Sequence, residues 1–269
     1  MPFSNTTFFL IPGAFCPGYF YHKVVSLLEA RGYHAHALDL PTMDPVLKDE
    51  GKPPGMYDDA TYVREKVSKS LDEGHNVILV GSSYGSAVTL EACKFNTVVE
   101  RKAIKKDNSS GGELKHLILL GGLLAEAGPT VKEVVGGSTP NEADSMEAHI
   151  PATATHLPPI DPTIAGAILC GALPKEEQDH YIAMCKPISI GAFNDPLTFT
   201  AWEGVPTTLI IGDQDLALAP EKQHEFFDKA VRNGVPNLKK VVLEGGDHLP
   251  MLSDPEAVVK VCVEAAGDV

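Results

Sequence analysis

Six short apolar, β-rich runs punctuate the chain: TTFFLI at 6–11, HAHALDL at 34–40, NVILVG at 76–81, LKHLILLG at 114–121, TTLIIGD at 207–213 and KKVVLEG at 239–245. Most are nearly continuous in apolar residues rather than alternating, which is the pattern of strands covered on both faces. Helical spacing fills the intervals. Phe20, Val24, Leu27 and Leu28 share one face ahead of Gly32, and Val63, Val67 and Leu71 share another ahead of Gly74, glycines that can end helices. Strand alternating with helix predicts an α/β fold, a mainly parallel, doubly wound sheet with helices on both sides.

This rhythm breaks between Leu123 and Val205, a stretch rich in Pro, Ala and His. Within it, PKEEQDHYIAMC, beginning at Pro174, predicts a helix whose acidic first turn complements the helix dipole. An insertion on the side where parallel strands end lies over the ligand crevice. Residues 123–205 are therefore expected to form a helical cap inserted between strands, with 1–122 and 206–269 forming the core. A second polar stretch, KKDNSSGGE at 105–113, reads as an exposed mobile loop.

Composition narrows the choice of partners. The chain has 269 residues, 43% hydrophobic and 22% charged, as expected of one globular catalytic domain. Its formal net charge of −14 repels phosphate backbones and anionic head groups, which argues against nucleic acid and membrane surfaces as partners. No apolar run approaches the roughly 18 residues of a membrane span. The opening MPFSNTT lacks the basic residues of a secretion signal, so a cytoplasmic protein is expected. The five cysteines are scattered without a C-x-x-C pair, which fits free thiols rather than a disulfide framework or a zinc site.

The strongest chemical signal is Gly81-Ser82-Ser83-Tyr84-Gly85, a G-x-S-x-G sequence between the strand NVILV and the helical stretch SAVTLEACKF. A serine on such a sharp strand-to-helix turn is pushed out of the sheet, and its flanking glycines avoid clashes. Ser83 is the candidate nucleophile. The amide of Tyr84 then falls at a helix N-terminus, where it can donate to a developing oxyanion. A serine hydroxyl needs a base and a carboxylate that fixes the base's tautomer. Asp213, Asp215, Asp247 and His248 all follow predicted strand ends downstream, so the order Ser, Asp, His is available with three candidate carboxylates. His248 is the candidate base; His22, near the first loop, is the other histidine within conceivable reach, and His34, His36, His75 and His116 read as structural. In the loop after the first strand, Gly13 permits a sharp turn that would aim the Ala14 amide at substrate.

Taken together, FFLIPGAF, KVVSLLEARGYHAHALDLP, VGSSYG, IGDQDLALAP and EGGDHLPMLSDPEAV resemble the α/β-hydrolase superfamily over nearly the whole chain, in particular its esterase, methylesterase and hydroxynitrile-lyase-like group. The resemblance implies Asp215 as the carboxylate, His248 as the base, and the amides of Ala14 and Tyr84 as the oxyanion hole. The cap sequence from Ala172 to Pro206 is similar to caps of microbial hydrolases of this type. Two departures stand out: Pro12-Gly13 replaces the common His-Gly pair, and Leu249 stands where hydroxynitrile lyases carry a lysine, which argues against cyanogenic cleavage. The expected activity is hydrolysis of a carboxylic ester, thioester or lactone of a largely apolar small molecule, without metal or organic cofactor. Phe15, Cys16, Leu169, Tyr181 and Phe193 are the candidate substrate-binding residues. A lyase or cyclase on the same scaffold and a ligand receptor are the rival readings, and the cap leaves room for a homodimer.

Overall fold

A computed structural model of the protein describes residues 4–43, 53–104, 111–136 and 155–267. Strand β1 (Thr6–Ile11) passes through a 3-10 turn into α1 (His22–Glu29) and β2 (His34–Ala37), followed by α2 (Met56–Asp72), β3 (Asn76–Ser82), α3 (Tyr84–Ala92), α4 (Val98–Ile104) and β4 (Leu114–Leu120). Next come α5 (Val131–Val135), β5 (His156–Leu157), α6 (Pro162–Cys170), α7 (Lys175–Ile182), β6 (Ile188–Ser189) and α8 (Gly191–Asn194). The chain then returns to the sheet with β7 (Thr207–Gly212), α9 (Pro220–Arg232), β8 (Leu238–Leu243), α10 (Pro250–Ser253) and α11 (Pro255–Ala266).

All six strands expected from the apolar runs form one sheet in the order β2-β1-β3-β4-β7-β8, and every described pairing in it is parallel. Alternate residues of the four central strands divide between two layers. Phe9, Ile11, Val77, Leu79, Leu119 and Ile211 pack with α2 and α3, while Phe8, Leu10, Ile78, Val80, Leu120 and Ile210 pack with α1 and α11. Burial on both faces is why these strands read as continuous apolar runs. The chain runs outward from β1 to β2 and then crosses back to β3, so the sheet order reverses between β1 and β3. A crevice at such a switch point, at the carboxyl ends of the strands, is where an open α/β sheet receives a ligand.

The segment that joins β4 to β7 packs into both layers. Leu123, Val131, Leu197 and Trp202 are buried with α2 and α3, and Leu169, Cys170 and Tyr181 with α1 and α11. Its two short strands pair antiparallel, apart from the main sheet. The expected helix from Pro174 is α7, with Pro174 preceding its first turn and Glu176 and Glu177 within that turn. Residues 137–154 of the expected cap and 105–110 of the expected loop lie outside the described residues. The end of that loop is packed rather than exposed: Gly112 is buried and its amide donates to Leu71 O at 2.8 Å. Among the described residues, no helix is long and apolar enough to cross a membrane.

Candidate active site

Strand β3 ends at Ser82 and α3 begins at Tyr84, so Ser83 alone makes the turn, with φ 50° and ψ −122°. A side chain at positive φ is strained and persists only where the surroundings hold it. Here the Ser83 amide donates to Leu120 O at 2.9 Å and the Ser83 carbonyl accepts from the Ser86 amide at 2.8 Å. Both flanking glycines are required by close approach. A Cβ on Gly81 would lie 2.4 Å from Thr89 Oγ1, and one on Gly85 would lie 2.4 Å from the Pro12 carbonyl oxygen. Ser82 is fully buried, whereas Ser83 is partly exposed.

Of the three candidate carboxylates, only Asp215 meets His248. His248 Nδ1 lies 2.8 Å from Asp215 Oδ2, and both side chains are buried. The same oxygen accepts from Gln223 Nε2 at 2.9 Å, while Asp215 Oδ1 accepts from the amides of Ala217 and Leu218, each at 2.9 Å. This set fixes the carboxylate, and Nε2 is the imidazole nitrogen left for proton exchange. Asp213 instead accepts from the Gly245 amide at 2.7 Å, closing the approach of two turns. Asp247 accepts from the amides of Leu249 and Ala172 and from the Ser253 hydroxyl. Burial works against the imidazolium of His248, but the charge and hydrogen bond of Asp215, with the charge of Asp247, outweigh it and raise its pKa above the ordinary value.

Gly121 joins these parts. Its φ is +49°, and a Cβ there would lie 2.9 Å from His248 Nδ1 and 3.1 Å from Asp215 Oδ2. The preceding carbonyl, Leu120 O, holds the Ser83 amide, so two consecutive residues at the end of β4 touch the serine backbone and the acid–base pair. Neither Gly121 nor Gln223 stood out in the sequence. A Gly-Gly pair at a strand end was visible there, but nothing local marks Gln223, one turn into α9.

The loop after β1 reaches the serine from the other side. A Cβ on Gly13 would lie 3.1 Å from Ser83 Cβ, and Phe15 adopts φ 66°. The Gly13 carbonyl accepts from the Cys16 amide at 3.2 Å and the Phe15 carbonyl accepts from the Lys186 amide at 2.9 Å, so Ala14 is held in a braced turn. Tyr84 is the first residue of α3, where an amide has no acceptor within its own helix. Its phenol donates to Asp59 Oδ2 at 2.7 Å. Asp59, fully buried, also accepts from the Thr42 amide at 2.9 Å and the Thr42 hydroxyl at 2.6 Å, and burial pushes its carboxyl up to about 6.

The five candidate substrate residues divide between the two layers. Phe15 and Phe193 pack on the α2 and α3 side, where the Phe193 ring is 5.7 Å from that of Tyr84. Cys16, Leu169 and Tyr181 belong to the other layer, and Tyr181 stands edge-on to Phe20 at 5.5 Å. His22 stacks on Tyr19 at 4.6 Å at the start of α1, and His116 Nε2 lies 2.9 Å from Thr208 Oγ1 within the sheet. All five cysteines are free thiols. Among the described residues, no group of three or more His, Cys, Asp or Glu stands ready to hold a metal ion.

Comparison with known proteins agrees with this architecture. Probable hydrolase R7 of Phoma sp. is 27% identical over 262 residues, covering 96% of this chain and 97% of the relative. Alpha/beta hydrolase nvfD of Aspergillus novofumigatus is 25% identical over 260 residues, 96% of each. Among solved structures, tomato methylketone synthase I in complex with 2-tridecanone superimposes with a TM-score of 0.70 at 20% identity, over 99% of both chains. The methylesterase MES16 of Arabidopsis does so with a TM-score of 0.72 at 21% identity, over 98% of this chain and all of the other. Residues 8–261, which span both halves of the sheet and the insertion between them, match the alpha/beta hydrolase family, and this chain is a member of it.

Proposed function

We propose that this chain is a serine hydrolase that cleaves a carboxylic ester, thioester or lactone of a largely apolar small molecule through an acyl-enzyme on Ser83. The observation that carries the reading is the buried His248–Asp215 pair at 2.8 Å, packed on Gly121 beside the carbonyl that holds the strained Ser83. In the proposed reaction Ser83 Oγ attacks the carbonyl carbon while His248 Nε2 takes its proton. Asp215 holds the tautomer and stabilises the imidazolium. The amides of Ala14 and Tyr84 donate to the oxyanion, and collapse expels the alcohol as His248 returns the proton to it. Water activated by the same histidine then releases the acid. These steps require no metal or organic cofactor. The insertion serves as the cap, and Phe15 and Phe193 beside Tyr84 supply apolar surface for the acyl or aryl group.

Labelling with a fluorophosphonate probe, followed by peptide mass spectrometry, tests this directly. The expected adduct is on Ser83, absent from Ser83→Ala and strongly slowed in His248→Ala, with turnover of p-nitrophenyl esters reduced by roughly 10³ or more in either variant. A folded wild-type protein that stays unlabelled while converting a substrate lacking an ester would replace this reading with a lyase or cyclase.

A further inference from the structure

We propose that Asp247 is a positioning residue that couples the insertion to the loop carrying His248. The inference rests on His248 as the base in the reading above. Asp247 is 3% exposed, and each of its oxygens has a different duty. Oδ1 accepts from the Leu249 amide at 3.1 Å and from Ser253 Oγ at 2.8 Å, so it braces the turn that leads from His248 into α10. Oδ2 accepts from the Ala172 amide at 3.1 Å, in the turn between α6 and α7. One buried carboxylate therefore ties the insertion to the histidine turn. Its backbone is equally constrained, because a Cβ on Gly212 at the end of β7 would lie 2.4 Å from the Asp247 carbonyl oxygen.

The same carboxylate acts on the imidazole by its charge. Burial is the largest influence on Asp247 and holds its pKa above the ordinary value, offset by its three hydrogen bonds and by His248. The other titratable groups around the pair are Asp215, acting on His248, and Cys170 at the end of α6, whose thiol is pushed to about 12 by burial and then by Asp247. Lys175, at the start of α7, acts on Cys170 in the opposite sense. A negative charge beside His248 favours the imidazolium, so its removal lowers the imidazole pKa. An insertion seated on Asp247 keeps the charge and the histidine turn in register, and an unseated one releases both.

The test compares wild type with Asp247→Asn, near-isosteric but uncharged, and with Ser253→Ala, which removes one donor and leaves the charge. Titration of the His248 ring by NMR in the full chain should give a pKa lower by about half to one pH unit in Asp247→Asn, and little change in Ser253→Ala. Exchange of the Ala172 amide should speed about tenfold or more in Asp247→Asn. In p-nitrophenyl ester hydrolysis, kcat should fall more than KM changes, with the acid limb moved to lower pH. An unchanged His248 titration with unchanged Ala172 protection, even alongside a lower Tm, would overturn the inference and leave Asp247 a purely structural residue. The titration and the exchange do not depend on turnover. Wild type lacking Ser83-dependent hydrolysis would sink the function proposed above, while these two readouts still decide the coupling.

Discussion

Gly121 makes the sharpest demand at the level of single residues. Its missing Cβ leaves room for both His248 Nδ1 and Asp215 Oδ2, and its φ of +49° is one that L residues rarely adopt. Gly121→Ala should therefore displace the imidazole, and misplacement on the order of 1 Å costs about 10² in rate. The expected outcome is a fall of that size in kcat/KM, with the far-UV circular dichroism of the wild type. Wild-type kinetics in this variant would mean that the acid–base pair tolerates movement the packing does not suggest. The choice of Asp215 illustrates what the chain conceals at this scale. Asp213, Asp215 and Asp247 all follow strand ends, and spacing alone does not separate them, because the decision lies in how a tight turn aims each side chain. Oδ1 of Asp215 is fixed by the amides of its own turn, which leaves Oδ2 for the histidine, while Asp213 and Asp247 are spent on turn and insertion amides. Only the family resemblance set Asp215 apart from the other two in advance, and Asp215 is the one that pairs with His248.

Among elements, the junction of β3, α3 and α2 concentrates the polar burial. Asp59 lies in the first turns of α2 yet is fully buried against Thr42 and the phenol of Tyr84, whose amide is a proposed oxyanion donor. Burial is the largest influence on its carboxyl and raises the pKa from 3.8 to about 6, against the opposing effect of its hydrogen bonds. Between these values the folded chain holds a proton that the unfolded chain has lost, so this group makes stability fall as pH rises through that window. The penalty at pH 7 is on the order of 3 kcal/mol relative to pH 4. Asp59→Asn resembles the protonated acid and should remove this fall, so that Tm measured from pH 4 to 7 is flatter than in wild type. A variant that kept the full wild-type slope would assign the slope to other groups. The sequence did not announce this network: an acidic residue opening a helix reads as a partner of the helix dipole, and only tertiary contact turns it inward. The four central sheet strands, by contrast, were legible because burial on both faces leaves a continuous apolar run, while the edge strands β2 and β8 are only partly buried and mix polar residues into theirs. Elements as short as β5, β6, α8 and α10 are too brief to carry a period.

Considered as a whole molecule, the insertion is contiguous with the core rather than a separable body. Leu123, Val131, Leu197 and Trp202 share a buried cluster with strand residues Leu79, Leu119 and Leu209. Glu91 on α3 accepts from both the amide and the hydroxyl of Thr198, and the Asp247 carboxylate holds Ala172, so part-buried polar ties reinforce the apolar seam at two places. Hydrophobic burial of this kind and paired buried polar groups are both lost together when one surface separates from the other. The sequence suggests a lid laid over a finished core at 123–205, because Pro, Ala and His content does not reveal which side chains are shared with the sheet layers. Shared packing implies cooperative unfolding. The chain's single tryptophan offers the probe: Trp202 is 2% exposed at this seam, with its indole N–H donated to the Ala125 carbonyl at 3.0 Å. Urea denaturation followed in parallel by tryptophan fluorescence and by far-UV circular dichroism should give coincident transitions, with one midpoint and one slope. A fluorescence transition at lower urea than the loss of secondary structure would mean that the insertion detaches first. In that case the sheet is a stable platform on its own.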